Sequence, residues 1–203
     1  MKRLIFTTLL AMIALFAFSF AAADAPVEGR AGRAEVRFLE GMIDHHQMAL
    51  DMAADCLERA STEDVRSICE AVIAAQTPEI ELMQGWLAEW YNIDYQPMPM
   101  ADMGMDMGMH AGMDMGGSDS DPAGMMGMMA GGMMAGLNRA EGLDYDIAWL
   151  ESMIDHHDDA LHMSERILNR AEHADLRTLA ETIITAQSAE IEQMEALIVQ
   201  LSN

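Results

Sequence analysis

Two blocks of this chain set imidazole beside thioether sulfur: Met42-Ile43-Asp44-His45-His46 and Met153-Ile154-Asp155-His156-His157. Each is followed by a matching trio, Gln76, Glu79 and Met83 after the first and Gln187, Glu190 and Met194 after the second. Between them, 14 of the 37 residues from 98 to 134 are methionine. Soft sulfur beside imidazole is a donor set for a soft or borderline metal ion, copper above all. The candidate ligands in the repeated blocks are Met42, His45, His46, Met48, Met52, Met83, Met153, His156, His157, Met163 and Met194. Glu79, Glu190, Gln76, Gln187 and His162 are further candidates, as ligands or as hydrogen-bond partners of ligands.

In the Met-rich segment, Met103, Met105, Met107 and Met109 alternate with other residues, His110 follows directly, and Met113 and Met115 resume the alternation. A flexible Met-x-Met chain brings two or three thioethers onto one Cu(I) ion, with Ag(I) as a surrogate. Thioethers need no deprotonation, so such binding survives acid that protonates histidine. Methionine as an oxidant sink is the other functional reading.

The bland reading of the paired motifs is structural. A histidine on a buried stripe is ordinarily a hydrogen-bonded core residue, and methionine is a common core filler. His–Glu and His–Gln hydrogen bonds would satisfy most of this set without metal. Metal binding is preferred because burying so many polar groups is costly unless they are paired or coordinate something. His45 and His46 point about 100° apart on a helix, so they do not readily chelate one ion together.

These residues sit in a duplication. Residues 38–90 align with 149–201 at a constant offset of 111, with 23 identities in 53 pairs. In each copy apolar residues recur at the helical period: Phe38, Met42, His45, Ala49, Met52 and Cys56 in one, Trp149, Met153, His156, Ala160, Met163 and Ile167 in the other. A second stripe follows in each copy, and Ser61 and Asp144 are the expected helix N-caps. Each copy therefore predicts a helical hairpin, and two hairpins predict an all-α antiparallel four-helix bundle. Residues equidistant from a hairpin turn lie at similar height. That pairs Cys56 with Cys69, Met42 with Met83 and His46 with Glu79, and in the second copy Met153 with Met194 and His157 with Glu190. Two cysteines in an exported chain suggest one disulfide. Pro78 interrupts the second helix and could kink it.

The expected organisation is a signal peptide over 1–23, a tail over 24–33, a first hairpin over 34–91, a flexible Met/Gly-rich linker over 92–140 and a second hairpin over 141–203. Lys2 and Arg3, the apolar run Leu4–Phe20 and Ala21-Ala22-Ala23 carry the export reading. The exported chain would hold nine Arg and no Lys against 34 acidic residues. Such a charge repels nucleic acid and anionic lipid and concentrates cations. Stable membrane insertion after cleavage is not expected.

The repeated Met-Ile-Asp-His-His, with Gln-x-x-Glu-Ile-x-x-Met at 76–83 and 187–194, resembles the bacterial domain-of-unknown-function family 305, which includes periplasmic copper-binding proteins of the CopM type. The resemblance implies a ferritin-like bundle, copper binding outside the cytoplasm and copper tolerance. It carries Met42, His45, His46, Met153, His156 and His157 over as ligand candidates, with Met83 and Met194 opposite. The leading expectation is a periplasmic or secreted protein that sequesters or chaperones Cu(I) or Cu(II) and meets metal ions and, in delivery, another copper-handling protein. The alternatives are a metal-free secreted interaction protein and a ferritin-like metal oxidase. Di-iron bundles use Glu-x-x-His pairs, and none occurs here, so no enzymatic activity is expected.

Overall fold

The computed structural model describes residues 25–98, 137 and 139–203. Four long helices account for most of these: α1 (Gly29–Arg59), α2 (Glu63–Tyr91), α3 (Gly142–Leu168) and α4 (Ala174–Leu201). Among the described residues no strand occurs and no helix is long and apolar enough to cross a membrane. α1 pairs with α2 and α3 with α4, and the hairpins meet mainly along α1 and α3. The chain is therefore an all-α four-helix bundle.

The helices form because each buries one apolar stripe. Phe38, Met42, His45, Ala49, Met52 and Cys56 are all buried on α1, and Trp149, Met153, His156, Ala160 and Ile167 on α3. The stripes build two apolar halves. One joins the end of α1 and start of α2 to the start of α3 and end of α4. The other joins the start of α1 and end of α2 to the end of α3 and start of α4. α1 and α3 thus run antiparallel past each other, and the histidine pairs fall where the halves meet.

The helix ends differ from expectation in detail. Thr62, not Ser61, caps α2, its hydroxyl accepting from the Val65 amide. Ser61 is engaged elsewhere, by Asp146. α3 begins at Gly142, which puts Asp144 inside its first turn. α1 begins at Gly29, so part of the expected 24–33 tail is helical. α2 continues through Pro78 to Tyr91. It stops at Asn92, whose φ of 54° lets Asn92 and Ile93 donate back to Ala88 and Leu87, a left-handed cap of the Schellman kind.

Two buried carboxylates lock the hairpins together. Asp146 of α3 accepts hydrogen bonds from the Ser61 amide (2.8 Å), the Ser61 hydroxyl (2.8 Å) and the Thr62 amide (2.9 Å) in the α1–α2 turn. Glu35 of α1 does the same for the α3–α4 turn, accepting from the Glu172 amide (2.6 Å) and the His173 amide (3.1 Å). Glu35 and Asp146 are themselves 111 residues apart, so the internal symmetry extends beyond the recognisable repeat. Cys56 and Cys69 form a disulfide that ties α1 to α2 near their turn.

The expected linker is not loose at its ends. Tyr95 donates to Asp44 (2.6 Å), the Met98 amide also bonds Asp44 (2.9 Å), and Gln84 donates to the Tyr95 carbonyl (3.0 Å). Leu137 is buried, and Arg59 donates to the carbonyls of Leu137 and Ala140.

Candidate metal centre

The join between the two apolar halves is polar. His45, His46, His156, His157, Gln76 and Gln187 all lie there, each at least 97% buried. The helical period that buries Met42 and Ala49 also buries His45 between them. The adjacent stripe buries His46.

The outer pair is oriented by carboxylates. His46 Nε2 lies 2.7 Å from Glu79 Oε2, and His157 Nε2 lies 2.7 Å from Glu190 Oε2. A carboxylate on one ring nitrogen fixes the ring and leaves the other nitrogen to act. Nδ1 of His46 and of His157 have no hydrogen-bond partner. The inner pair is stacked: the rings of His45 and His156 lie 3.7 Å apart at 19°, while each sits 6.4 Å from its sequence neighbour's ring.

Burial first, and then the imidazoles of His46 and His157, hold His45 well below the ordinary imidazole range. Burial and the imidazoles of His45, His157 and His46 do the same to His156. Both rings are therefore neutral at pH 7 and keep a lone pair for a ligand.

Eight buried polar atoms in this layer make no hydrogen bond of good geometry within the protein: both nitrogens of His45, beside which only the His156 backbone offers a weaker contact, one nitrogen each of His46, His156 and His157, both side-chain polar atoms of Gln76, and Gln187 Oε1. At about 1–3 kcal/mol each they would cost roughly 8–24 kcal/mol if left unsatisfied. That is comparable to the whole net stability of a domain, about 5–15 kcal/mol. A ligand or water completing the layer would offset that cost. Four methionines flank it with no exposed surface, Met42 and Met83 on one side and Met153 and Met194 on the other. Among the described residues, no three side chains drawn from His, Cys, Asp and Glu converge into a ready cation site. A hard ion needing many oxygen or nitrogen donors is poorly served here. A soft ion of low coordination number, taking one or two imidazoles and thioethers, is served better.

The DUF305 family model, described as a domain of unknown function, matches residues 35–198. The chain belongs to this family. Solved structures are similar over most of their length. CopM in the Cu(II)-bound form is 29% identical, with a TM-score of 0.59 over 82% of this chain and 96% of that one. CopM in an Ag-bound form, obtained by co-crystallization, is 26% identical, with a TM-score of 0.58 over 82% and 96%. A DUF305 fragment from Deinococcus radiodurans is 26% identical, with a TM-score of 0.62 over 86% and 99%. No curated protein matches the chain.

The remaining candidates from the sequence lie elsewhere. Met48 and Met52 belong to the apolar half around the disulfide, and Met163 packs on the other half. Met52 is six residues from His46, about 9 Å along the axis. His162 is exposed and faces Glu165 at 3.7 Å. Met103, Met105, Met107, Met109, His110, Met113 and Met115 fall outside the described residues.

Sequence reasoning missed the cluster around Glu35. This carboxylate has no exposed surface and also takes contacts from Tyr91 Oη (2.5 Å) and His173 Nδ1 (2.5 Å). The His173 ring stacks on Trp90 at 3.8 Å, and Trp90 on Trp86 at 4.8 Å. These tryptophans close one end of the bundle core. The only signal was the 111-residue offset between Glu35 and Asp146.

Proposed function

We propose that this chain is a copper-binding member of the DUF305 family that sequesters or chaperones the metal outside the cytoplasm. The carrying observation is the central layer: eight buried polar atoms without a well-formed hydrogen bond in the protein, five of them imidazole nitrogens, bracketed by four buried thioethers. Its chemistry suits Cu(I) through Met sulfur and imidazole, and Cu(II) through imidazole. The relatives CopM, in Cu(II)-bound and Ag-bound forms, support copper as the metal and Ag(I) as a surrogate.

The ligand candidates in the bundle are His45, His46, His156 and His157 with Met42, Met83, Met153 and Met194. Glu79 and Glu190 orient the outer imidazoles, and Gln76 and Gln187 offer amide oxygens or hydrogen bonds. The Met-rich segment is a second, weaker store. It exchanges Cu(I) by stepwise thioether replacement and feeds or drains the bundle. The basic start and apolar run at the N-terminus support export, to the periplasm or beyond the cell. On this reading the protein is a binder rather than an enzyme, its ring donors holding an ion.

The deciding experiment is an anaerobic Cu(I) titration against a competing chelator, run on the full chain and on a version lacking 98–134. Tight binding of one or two ions by the shortened protein, with more by the full chain, is the expected result. If neither competes for Cu(I), the copper reading fails, and the layer is a hydrogen-bonded core completed by water.

A further inference from the structure

The end of the bundle that holds the start of α1 carries a charge opposite to that of the chain. Arg30, Arg33, Arg37 and Arg170, all exposed, line a half-open surface hollow of about 610 Å³ together with Ala31 and Ala34. The first three share one face of α1 by their spacing. Arg170 reaches in from the α3–α4 turn. Among the described residues, none of the four makes an ion pair or a side-chain hydrogen bond, whereas Arg59, Arg66 and Arg177 are all held by backbone carbonyls. In a chain with 34 acidic residues and a net charge of −23, four unneutralised guanidiniums around one hollow are unexpected.

The internal duplication shows that the fold does not require them. At the offset of 111, Arg30, Arg33 and Arg37 correspond to Glu141, Asp144 and Ala148. Arg170 corresponds to Arg59, whose guanidinium lies over the Tyr145 ring at 4.2 Å and binds the carbonyls of Leu137 and Ala140. The counterpart of Tyr145 is Ala34. At the far end the arginine is thus covered by a fully buried tyrosine. At this end an alanine stands in its place and the space is open.

We infer that the Arg30/Arg33/Arg37/Arg170 cavity is a binding site for phosphate-class oxyanions. A monovalent carboxylate would neutralise one of the four cations. A tetrahedral anion of higher charge accepts several guanidinium forks at once. Free phosphate esters and the phosphates of anionic lipid headgroups share this chemistry. The chain's overall negative charge opposes binding at long range, so recognition depends on the local cluster.

The test uses inorganic pyrophosphate, followed by calorimetry at low ionic strength, on the wild-type protein and two variants. Arg33→Ala/Arg37→Ala removes charge from exposed helix positions. Ala34→Tyr keeps every arginine and fills the hollow as Tyr145 does at the other end. Circular dichroism and thermal midpoints without ligand verify that both are folded. Wild type should bind pyrophosphate, and each variant should bind it about tenfold or more weakly, as loss of charge-assisted contacts requires. Parallel sedimentation with phosphatidylcholine vesicles, with and without phosphatidylglycerol, separates the sources. Retention on the anionic vesicles alone, lost in the double variant, assigns a lipid phosphate, and pyrophosphate binding without it assigns a free one. The proposal is overturned if wild type binds neither probe, or if both folded variants bind as wild type does.

Discussion

The imidazoles of His45 and His156 lie face to face where the two repeats meet, with centroids 3.7 Å apart. The residues occupy equivalent positions in the duplication, so the stack marks its pseudo-twofold axis. Lone pairs of an imidazole lie in the ring plane. Two nearly parallel rings at this spacing cannot both direct one at the same ion. On the proposed copper reading the bundle would offer two equivalent half-sites, and His46→Ala and His157→Ala should behave alike. Each should weaken one equivalent of Cu(I) by at least the roughly ten- to hundredfold that loss of a ligand's hydrogen-bond partner costs, and spare the other, in the competition titration. Loss of both equivalents from one substitution would point to a single shared site.

The Cys56–Cys69 disulfide closes a short loop, with a sequence separation of 13. Its counterparts are Ile167 and Ala180, both buried. The second hairpin therefore packs at this level with apolar residues alone. Cys56→Ile/Cys69→Ala should fold and lose about 3 kcal/mol of stability, the loop-closure contribution. Urea denaturation under oxidising and reducing conditions checks this: reduction should destabilise the wild type and leave the variant unchanged.

How much of this was legible follows from what a helical hairpin constrains. A short turn fixes the register of the two helices it joins, so placing His46 opposite Glu79 and Cys56 opposite Cys69 needed only counting. The distance between His45 and His156 is different in kind. It depends on which stripes of α1 and α3 meet, and an offset in sequence says nothing about approach in space. The carboxylate clasps were hidden for another reason. Glu35 and Asp146 are unlike residues outside the aligned block, and their partners are backbone amides, which leave no trace in side-chain pattern. Ser61 looked like a helix cap because that is the usual role of serine at such a position. Here Asp146 has taken its hydroxyl. The arginine cavity could be found only after the fold set Ala34 against Tyr145 as equivalents.

Asp44 adjoins His45 and holds the segment that leaves α2, through Tyr95 and the Met98 amide. Burial first, and then the Asp44 hydrogen bond, push the Tyr95 hydroxyl well above the ordinary phenol range, so it remains a donor. Asp155 is the repeat counterpart of Asp44, and among the described residues it holds no such segment. Asp44→Ala should therefore speed proteolysis within 92–98 severalfold, while Asp155→Ala should not. The cost to global stability should stay near 1 kcal/mol, the net value of a part-exposed hydrogen bond. Limited proteolysis with mass mapping, beside a denaturation curve, reads both. Equal cleavage in the two variants would remove the strap from the account.

Glu35 gives the bundle an acid limit. Burial alone would raise its carboxyl, but hydrogen bonds from Tyr91, His173 and the amides of His173 and Glu172 outweigh it and leave the pKa below the ordinary carboxylate range. The unfolded chain then takes up this proton more readily than the folded one. By linkage, the stabilisation is fully present above the unfolded pKa of about 4.3 and is lost as pH falls through the lower folded value. Glu35→Gln keeps the size but has one acceptor oxygen for several donors. It should cost about 1–3 kcal/mol at pH 7. The gap between wild type and variant should narrow as pH falls below about 4.3. Chemical denaturation of the metal-free protein across this range measures it, and a gap that widened in acid would reverse the sign assigned to this carboxylate.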